Sequence, residues 1–216
     1  MDELELLKKD WQKSDGTKYP KLSYDDIYKM LLKKSSSMVR WIFIISMCEL
    51  ALAIILNILF LDDDFFEQMD VLNMSDFFIV NEVISFGILG YFIYRFYKNY
   101  KLISVTDDSK TLMENILKTR KAVKTYIKIA LTYSAIILLV TVFMSVLYDP
   151  NLGRAIDKLV VEGSPRNVIY LFIGAISLVV TAVIIVLFWL LYQLFYGLLL
   201  KRLNGNYKEL KKMELQ

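Results

Sequence analysis

The segment that decides the fold is 41–61, which reads WIFIISMCELALAIILNILFL and contains a single charged residue, Glu49. The hydrocarbon core of a bilayer is about 30 Å thick, and a helix needs about 20 predominantly apolar residues to cross it. This segment is therefore long enough to span a membrane as one helix.

Three further segments have the same character, and they are 77–97, 127–148 and 168–200. The last one contains no charged residue and is longer than a span requires, so we expect it to tilt or to continue as a helix beyond the bilayer. A helix satisfies its own backbone hydrogen bonds in lipid. The sequence therefore predicts an all-α fold, an integral membrane four-helix bundle with cytoplasmic helical extensions.

The basic residues are distributed unevenly along the chain. Of the 26 Lys and Arg residues, 23 lie in the segments 1–40, 95–128 and 201–216. The connector 62–76 has six acids and no Lys or Arg, and the connector 149–167 has only three basic residues. Because Lys and Arg are enriched on the cytoplasmic side of membrane proteins, we expect both termini and the segment 98–126 to be cytoplasmic.

The cytoplasmic N-terminal segment, 1–40, predicts two short helices. Leu4, Leu7 and Trp11 recur at helical spacing among charged residues, and Ser23 with Asp26 resembles a capping box that opens the second helix. Three interpretations remain open. The segment lies on anionic lipid headgroups, docks a partner protein, or packs against the protein's own cytoplasmic helices.

The segment 98–126 predicts a helical hairpin that turns near Ser104. Its second helix is expected to run unbroken from Ser109 to Tyr148, about 60 Å at about 1.5 Å per residue. The basic face of this helix, which we expect to contact lipid phosphates or an acidic partner, consists of Lys118, Arg120, Lys121 and Lys124. Nucleic acid is not an expected partner, because basic clusters beside a span are the usual topological signal.

Ionisable residues within a span are functional candidates. Glu49 lies about 12 Å from the cytoplasmic end of its span and Glu82 about 8 Å from the outer end of its own, so the two are not expected to share a site. We expect Ser134 and Thr181 to lie near the height of Glu49, where they could bond to it. Glu49 is then either part of a proton or cation pathway or a hydrogen-bonded anchor between helices, and the scarcity of other polar residues favours the anchor.

Other polar and small residues of the spans predict contacts between helices. Asn57 is close in height to Asn81 and Glu82, which predicts a hydrogen bond between the first two spans. Gly87 and Gly90 allow close helix approach, either within the bundle or in a homodimer. The lone Cys48 is expected to be a small buried apolar side chain.

The ends of the spans and the connectors carry further signals. Trp189, Tyr192 and Tyr196 are expected to lie in the aromatic belt at the cytoplasmic interface. The segments 62–76 and 149–167 each predict a short amphipathic helix, the second ended by the sequence GSP at 163–165. In the basic tail 201–216, Gly205 between two Asn residues predicts a helix stop.

Several kinds of chemistry are excluded by composition. The chain has no His, which excludes His-ligated metal and Ser-His or Cys-His nucleophiles, and its one Cys excludes internal disulfides and Cys-cluster zinc sites. It has no glycine-rich phosphate loop, and its run of three acids at 62–64 lacks the spacing of a calcium loop. We therefore expect no cofactor, no metal and no enzymatic activity.

The stretches ELELLKKDWQK and IYKMLLKKSSSMVRWIFIISMCEL resemble a family of uncharacterised bacterial four-span integral membrane proteins. The resemblance implies a bacterial inner membrane and provides no catalytic residues. The sequence then favours a non-enzymatic regulatory or scaffold protein that binds a cytoplasmic partner. The alternative is a transporter or channel subunit that uses Glu49 and Glu82.

Overall fold

The computed structural model describes residues 23–61, 63–104 and 108–214. Within these ranges the regular secondary structure is entirely helical. The helices are α1 (Tyr24–Phe60), α2 (Asp63–Val71), α3 (Ser75–Ser104), α4 (Ser109–Tyr148), α5 (Pro150–Val161), α6 (Arg166–Tyr192) and α7 (Leu198–Glu214). A π-helical turn, Gln193–Gly197, joins α6 to α7 without a break.

Four of these helical segments are long and apolar enough to cross a membrane: α1, α3, α4 and the continuous segment from α6 into α7. At most 11% of the residues in their most apolar windows are buried within the protein. Large apolar side chains such as Leu171 and Phe172 instead point outward. Since monomeric soluble proteins rarely expose contiguous apolar surface of this extent, the four helices have the surface expected of lipid-solvated spans. The predicted all-α fold is confirmed.

Local capping fixes where α1 and α4 begin. The Ser23 hydroxyl accepts a hydrogen bond from the Asp26 amide at 3.2 Å, and the Asp26 carboxylate accepts one from the Ser23 amide at 3.3 Å. This is the capping box that the sequence predicts. At the start of α4, the Asp108 carboxylate accepts hydrogen bonds from the amide and the hydroxyl of Thr111, at 2.9 and 3.0 Å. The predicted helix from Ser109 to Tyr148 is confirmed.

The long helices pack most tightly at the end of the molecule where the middle basic segment and the C-terminal helix lie. We name the apolar cluster there the terminal core, and it consists of Leu31, Met38, Val39, Ile103, Leu112, Ile116, Leu203 and Leu210. Its residues come from α1, α3, α4 and α7, and each is at most 6% exposed. The extensions of the spans therefore form a packed bundle of their own. For the part of the N-terminal segment that is described, this favours packing against the protein's own helices; Leu4, Leu7 and Trp11 lie outside the described residues.

A second cluster, the junction core, follows the terminal core toward the spans. It consists of Ile42, Leu89, Phe92, Phe96, Ala122, Val123, Tyr126 and Tyr196. These residues come from α1, α3, α4 and the π turn, so the same four segments stay together as they enter the apolar region. This core holds the site described below.

The opposite end of the molecule contains the two short helices that the connectors predict. Phe65 of α2 packs on Phe78 of α3 with ring centroids 5.0 Å apart. Helix α5 is followed by Gly163 at a φ of 102°, and Arg166 then forms an ion pair with Asp157 of α5. The predicted amphipathic helix and its end at 163–165 are confirmed.

The predicted helix stop at Gly205 is wrong. Helix α7 continues through this position to Glu214, and Leu203 and Leu210 on either side of it are buried in the terminal core. The Asn206 side chain is 1% exposed and donates to the buried Ser35 hydroxyl at 3.0 Å. Tertiary packing thus stabilises the helix by more than the low helix propensity of Asn and Gly destabilises it.

Candidate functional site

The carboxyl group of Glu49 is surrounded by three tyrosine hydroxyls. Its Oε1 accepts hydrogen bonds from Tyr126 at 2.5 Å and from Tyr192 at 2.7 Å, and its Oε2 accepts one from Tyr196 at 3.2 Å. The donors come from α4, from the end of α6 and from the π turn, whereas Glu49 lies in α1. The carboxyl group therefore links α1 to α4 and to the continuous segment formed by α6 and the π turn.

The rings of the three tyrosines pack on one another and on the junction core. The Tyr126 ring is edge-on to both Tyr192 and Tyr196, with centroids 5.8 and 6.1 Å away. On its other sides it contacts Phe92 and Phe96 of α3, at 5.2 and 5.8 Å. Edge-to-face pairs at these distances stabilise beyond the area they bury, so the hydroxyls are held by a rigid aromatic cluster.

The π turn lies at this site. Tyr192 is the last residue before the turn and Tyr196 lies inside it. A Cβ atom on Gly197 would lie 3.0 to 3.2 Å from the side-chain amide of Gln193, so glycine fits this crowded position. Single π turns within α-helices often occur at functional sites. Here the turn belongs to the segment from which the Tyr192 and Tyr196 hydroxyls both donate to the Glu49 carboxyl group.

The arrangement is suited to holding helices together. A carboxyl group in an apolar region is unfavourable unless hydrogen bonds satisfy it, and here both oxygens of Glu49 accept at least one. Among the described residues, no group of three His, Cys, Asp or Glu side chains could hold a metal ion. The site has the features of the hydrogen-bonded anchor, one of the two roles considered for Glu49.

Two expected hydrogen bonds of Glu49 are wrong. Its partners are tyrosines, not Ser134 and Thr181. Thr181 is 8% exposed and lies in α6. Ser134 lies eight residues beyond Tyr126 in α4, and Thr181 lies eleven residues before Tyr192 in α6, about 12 and about 16 Å along the helices at about 1.5 Å per residue. The carboxyl group therefore lies at a different height from both residues.

The hydrogen bond expected between Asn57 of the first span and the second span is not formed; Asn57 and Asn81 each have another partner. The Asn57 side chain donates to the backbone oxygen of Ala53 within its own helix at 3.0 Å. The Asn81 side chain instead accepts from the Tyr133 hydroxyl of α4 at 2.7 Å. Asn81 therefore links α3 to α4, and the neighbouring Glu82 is partly buried and takes no part in the tyrosine cluster.

The sequence did not predict that any of the three tyrosines contacts Glu49. The sequence placed Tyr192 and Tyr196 in an interfacial aromatic belt, and it gave Tyr126 no role. Trp189 is 49% exposed, as a belt residue would be, whereas Tyr196 is 1% and Tyr126 2% exposed. The usable signal was the spacing of four between Tyr192 and Tyr196, which puts both hydroxyls on one helix face.

Residues 25–215 match the family described as a domain of unknown function, DUF8845. The chain belongs to the DUF8845 family. No curated protein and no solved structure matches it. The assignment agrees with the resemblance to an uncharacterised family, and it gives no activity.

The matched region of this DUF8845 chain includes Glu49, its three tyrosines and both cores. It also includes positions where small side chains lie against open space. A Cβ atom on Gly87 or Gly90 would meet nothing within 4 Å, so these glycines do not provide close contacts inside the chain. Cys48, expected to be buried, is exposed on α1.

The basic face of α4 in this DUF8845 chain divides into two parts. Lys118 forms an ion pair with Glu114, one turn away on the same helix, at 3.3 Å. Arg120, Lys121 and Lys124 instead line a shallow pocket together with Lys128. Three of the four predicted contact residues therefore line this pocket, whereas Lys118 is paired with Glu114.

Proposed function

We propose that the chain is a non-enzymatic membrane scaffold or regulatory protein whose terminal bundle binds a soluble protein partner. The observation that carries the proposal is the terminal core. Four spans continue beyond the apolar region and pack into a bundle with a buried apolar core. Such a bundle is a rigid base outside the lipid, and a rigid base is what a docking surface requires.

The surface of this bundle supports the proposal. Tyr24 and Met30 of α1 are 51% and 59% exposed, although they lie outside the apolar span of that helix. Exposed aromatic and methionine side chains are enriched in protein interfaces. Residues 1–22 precede this surface and provide further apolar side chains at helical spacing, among them Leu4, Leu7 and Trp11.

We propose further that the terminal bundle is cytoplasmic and that the membrane is a bacterial inner membrane. The support is the concentration of Lys and Arg in the segments that lead to the bundle. Tags at residue 1 and within 62–76 should be labelled from opposite sides of the membrane. Labelling of both tags from the same side would overturn this orientation.

The partner is tested by affinity purification of the full chain and of a chain that lacks residues 1–22. This deletion ends before Ser23, so the capping box and the terminal core stay intact, whereas a longer deletion that reached Leu31, Ser35 or Met38 would remove core residues. We expect at least one soluble protein to co-purify at stoichiometric amounts with the full chain. Substitution of Tyr24 and Met30 by Ser should also reduce its recovery. An unchanged set of proteins in both variants would contradict the proposal.

Transport is the second candidate, and the ionisable Glu49 beside a π turn is the observation that favours it. The role would require a proton or cation to pass between the tyrosine hydroxyls. A liposome flux assay on the wild type and on Glu49→Gln tests this function. Flux that is equal in both proteins, or absent in both, removes it.

A further inference from the structure

A groove runs between α3 and α4 on the outside of the bundle. It has a volume of about 580 Å³. Its apolar part is lined by Ile84, Gly87, Ile88 and Tyr91 of α3 and by Ile129 of α4. From Ile84 to Arg95 it extends about 16 Å along α3 at about 1.5 Å per residue. This is close to half of the roughly 30 Å hydrocarbon core, the depth that one leaflet provides for an acyl chain.

Basic side chains lie at one end of the groove. Arg95 lines it there, with its guanidinium 5.8 Å from the centre of the Tyr91 ring. Thr125 of α4 lines both the groove and the shallow basic pocket of Arg120, Lys121, Lys124 and Lys128. The apolar groove and the basic pocket therefore adjoin at Thr125.

The positive charges of this region are not neutralised by ion pairs among the described residues. None of the five basic residues forms an ion pair with a carboxylate of the described residues. The Nε atom of Arg120 is buried and has no hydrogen-bond partner there. Lys118, one turn away on the same helix, does form an ion pair, with Glu114.

We propose that this surface binds an anionic phospholipid, with the phosphate in the basic pocket and one acyl chain in the groove. Basic pockets beside spans bind lipid headgroups, and the aligned apolar groove suits a lipid in the same leaflet. Gly87 supports this assignment, because a Cβ atom there would meet nothing within 4 Å and the groove is open at that point.

The test uses the full chain, purified in a mild detergent and titrated with phosphatidylglycerol or phosphatidylcholine while native mass spectrometry counts the bound lipid. We expect the anionic lipid to bind about tenfold more tightly or better, since each basic residue at a membrane surface contributes roughly fivefold. The triple variant Arg95→Gln, Lys124→Gln, Lys128→Gln should remove this preference. Equal binding of the two lipids by the wild type would overturn the proposal.

A matched pair of glycine variants separates the groove from a general attraction to positive charge. Gly87→Leu fills the groove and should weaken phosphatidylglycerol binding about tenfold. Gly90→Leu adds the same side chain to the same helix, also in open space, but does not line the groove, so it should bind as the wild type does. Wild-type binding by Gly87→Leu would overturn the placement of the acyl chain.

Two further measurements do not depend on how the variants fold. Phosphatidylglycerol with a photoreactive group in one acyl chain should form adducts with the wild-type chain within 84–95 or 125–129. Glycerol 3-phosphate, which has no acyl chain, should not displace the lipid. Adducts elsewhere, or displacement by glycerol 3-phosphate as effective as by the lipid itself, would overturn the proposal.

Discussion

The Tyr126 hydroxyl lies 2.5 Å from Oε1 of Glu49, although the two residues are 77 positions apart in the chain. The bond links α4 to α1 at the point where the packed end of the molecule gives way to the lipid-facing spans. Interhelical hydrogen bonds in membrane proteins contribute about 0.6 kcal/mol on average and up to about 1.7 kcal/mol. A carboxyl group with three such donors is therefore expected to contribute strongly to the stability of the bundle.

Removal of the Glu49 carboxyl group should destabilise the fold. Glu49→Ala leaves three tyrosine hydroxyls without this acceptor, and we expect a loss of about 1–3 kcal/mol and a lower Tm in detergent. Glu49→Gln retains one acceptor oxygen and should lose less. Glu82→Ala is the control, because Glu82 takes no part in the cluster. An equal loss in Glu49→Ala and Glu82→Ala would contradict the anchoring role.

The tyrosine donors should differ in their contributions. Tyr126→Phe and Tyr192→Phe each remove a donor to Oε1, and we expect each to reduce the free energy of unfolding by about 0.5–1.5 kcal/mol. Tyr196→Phe removes the longest bond, 3.2 Å, and should cost the least of the three. Tyr94→Phe, at a position that is 62% exposed, should be neutral in the same unfolding measurement.

The buried pair Ser35 and Asn206 should show coupling in a double-mutant cycle. Ser35→Ala leaves the Asn206 amide without this acceptor in a core where it is 1% exposed, which we expect to cost about 1–3 kcal/mol. Adding Asn206→Leu removes the stranded amide and should recover part of that loss. Thermal unfolding of the two single variants and the double variant measures the coupling, and strictly additive effects would exclude it.

Two glycines, one near the start of α5 and one just after its end, should respond in opposite directions to one added methyl group. Gly163 has a φ of 102°, which strains any L side chain, so Gly163→Ala should destabilise by about 1 kcal/mol. Gly153 lies inside α5 with open space around it, so Gly153→Ala should stabilise by about 0.5–1 kcal/mol through helix propensity. Tm values of the two variants test the difference, and shifts in the same direction would contradict it.

The start of α4 should become less stable in acid. Hydrogen bonds from the Thr111 amide and hydroxyl lower the pKa of Asp108 below its ordinary value of 3.8. Because the pKa of Asp108 is lower in the folded state than in the unfolded state, its ionised carboxylate stabilises the folded state at pH values above the unfolded-state pKa. This contribution is lost as the pH falls through the folded-state pKa. Asp108→Asn keeps an N-cap acceptor that does not titrate. The Tm advantage of the wild type over Asp108→Asn should therefore shrink between pH of about 6 and about 2.5, and a constant difference would contradict the assignment.

The features that sequence alone could predict are local ones. A run of about 20 apolar residues decides whether a segment can cross a bilayer, and no tertiary contact is needed to recognise it. The capping box of Ser23 and Asp26 and the end of α5 at Gly163 depend on residues a few positions apart. These predictions agree with the structure because the residues that cause each feature lie within one segment of the chain.

The candidate site could be predicted only in part. The sequence singled out Glu49 because a carboxyl group within an apolar span is rare. It estimated the height of each partner from the helical rise, and height alone suggested Ser134 and Thr181. Tyr192 and Tyr196 were assigned to the aromatic belt by the same criterion. Tyr126 precedes Ser134 by eight residues and Tyr192 follows Thr181 by eleven, about 12 and about 16 Å at about 1.5 Å per residue, so these heights were themselves wrong. The helical rise gives positions within one helix, whereas the level at which two helices meet is set by their packing.

Sequence by itself determined that this chain forms long apolar helices with charged extensions, because length and hydropathy are properties of each segment. The tertiary structure decided which faces of those helices meet. It turned Tyr126, Tyr192 and Tyr196 toward Glu49 and carried α7 through Gly205 into the terminal core. The physical reason is that the rotation of a helix about its axis is set by packing against its neighbours.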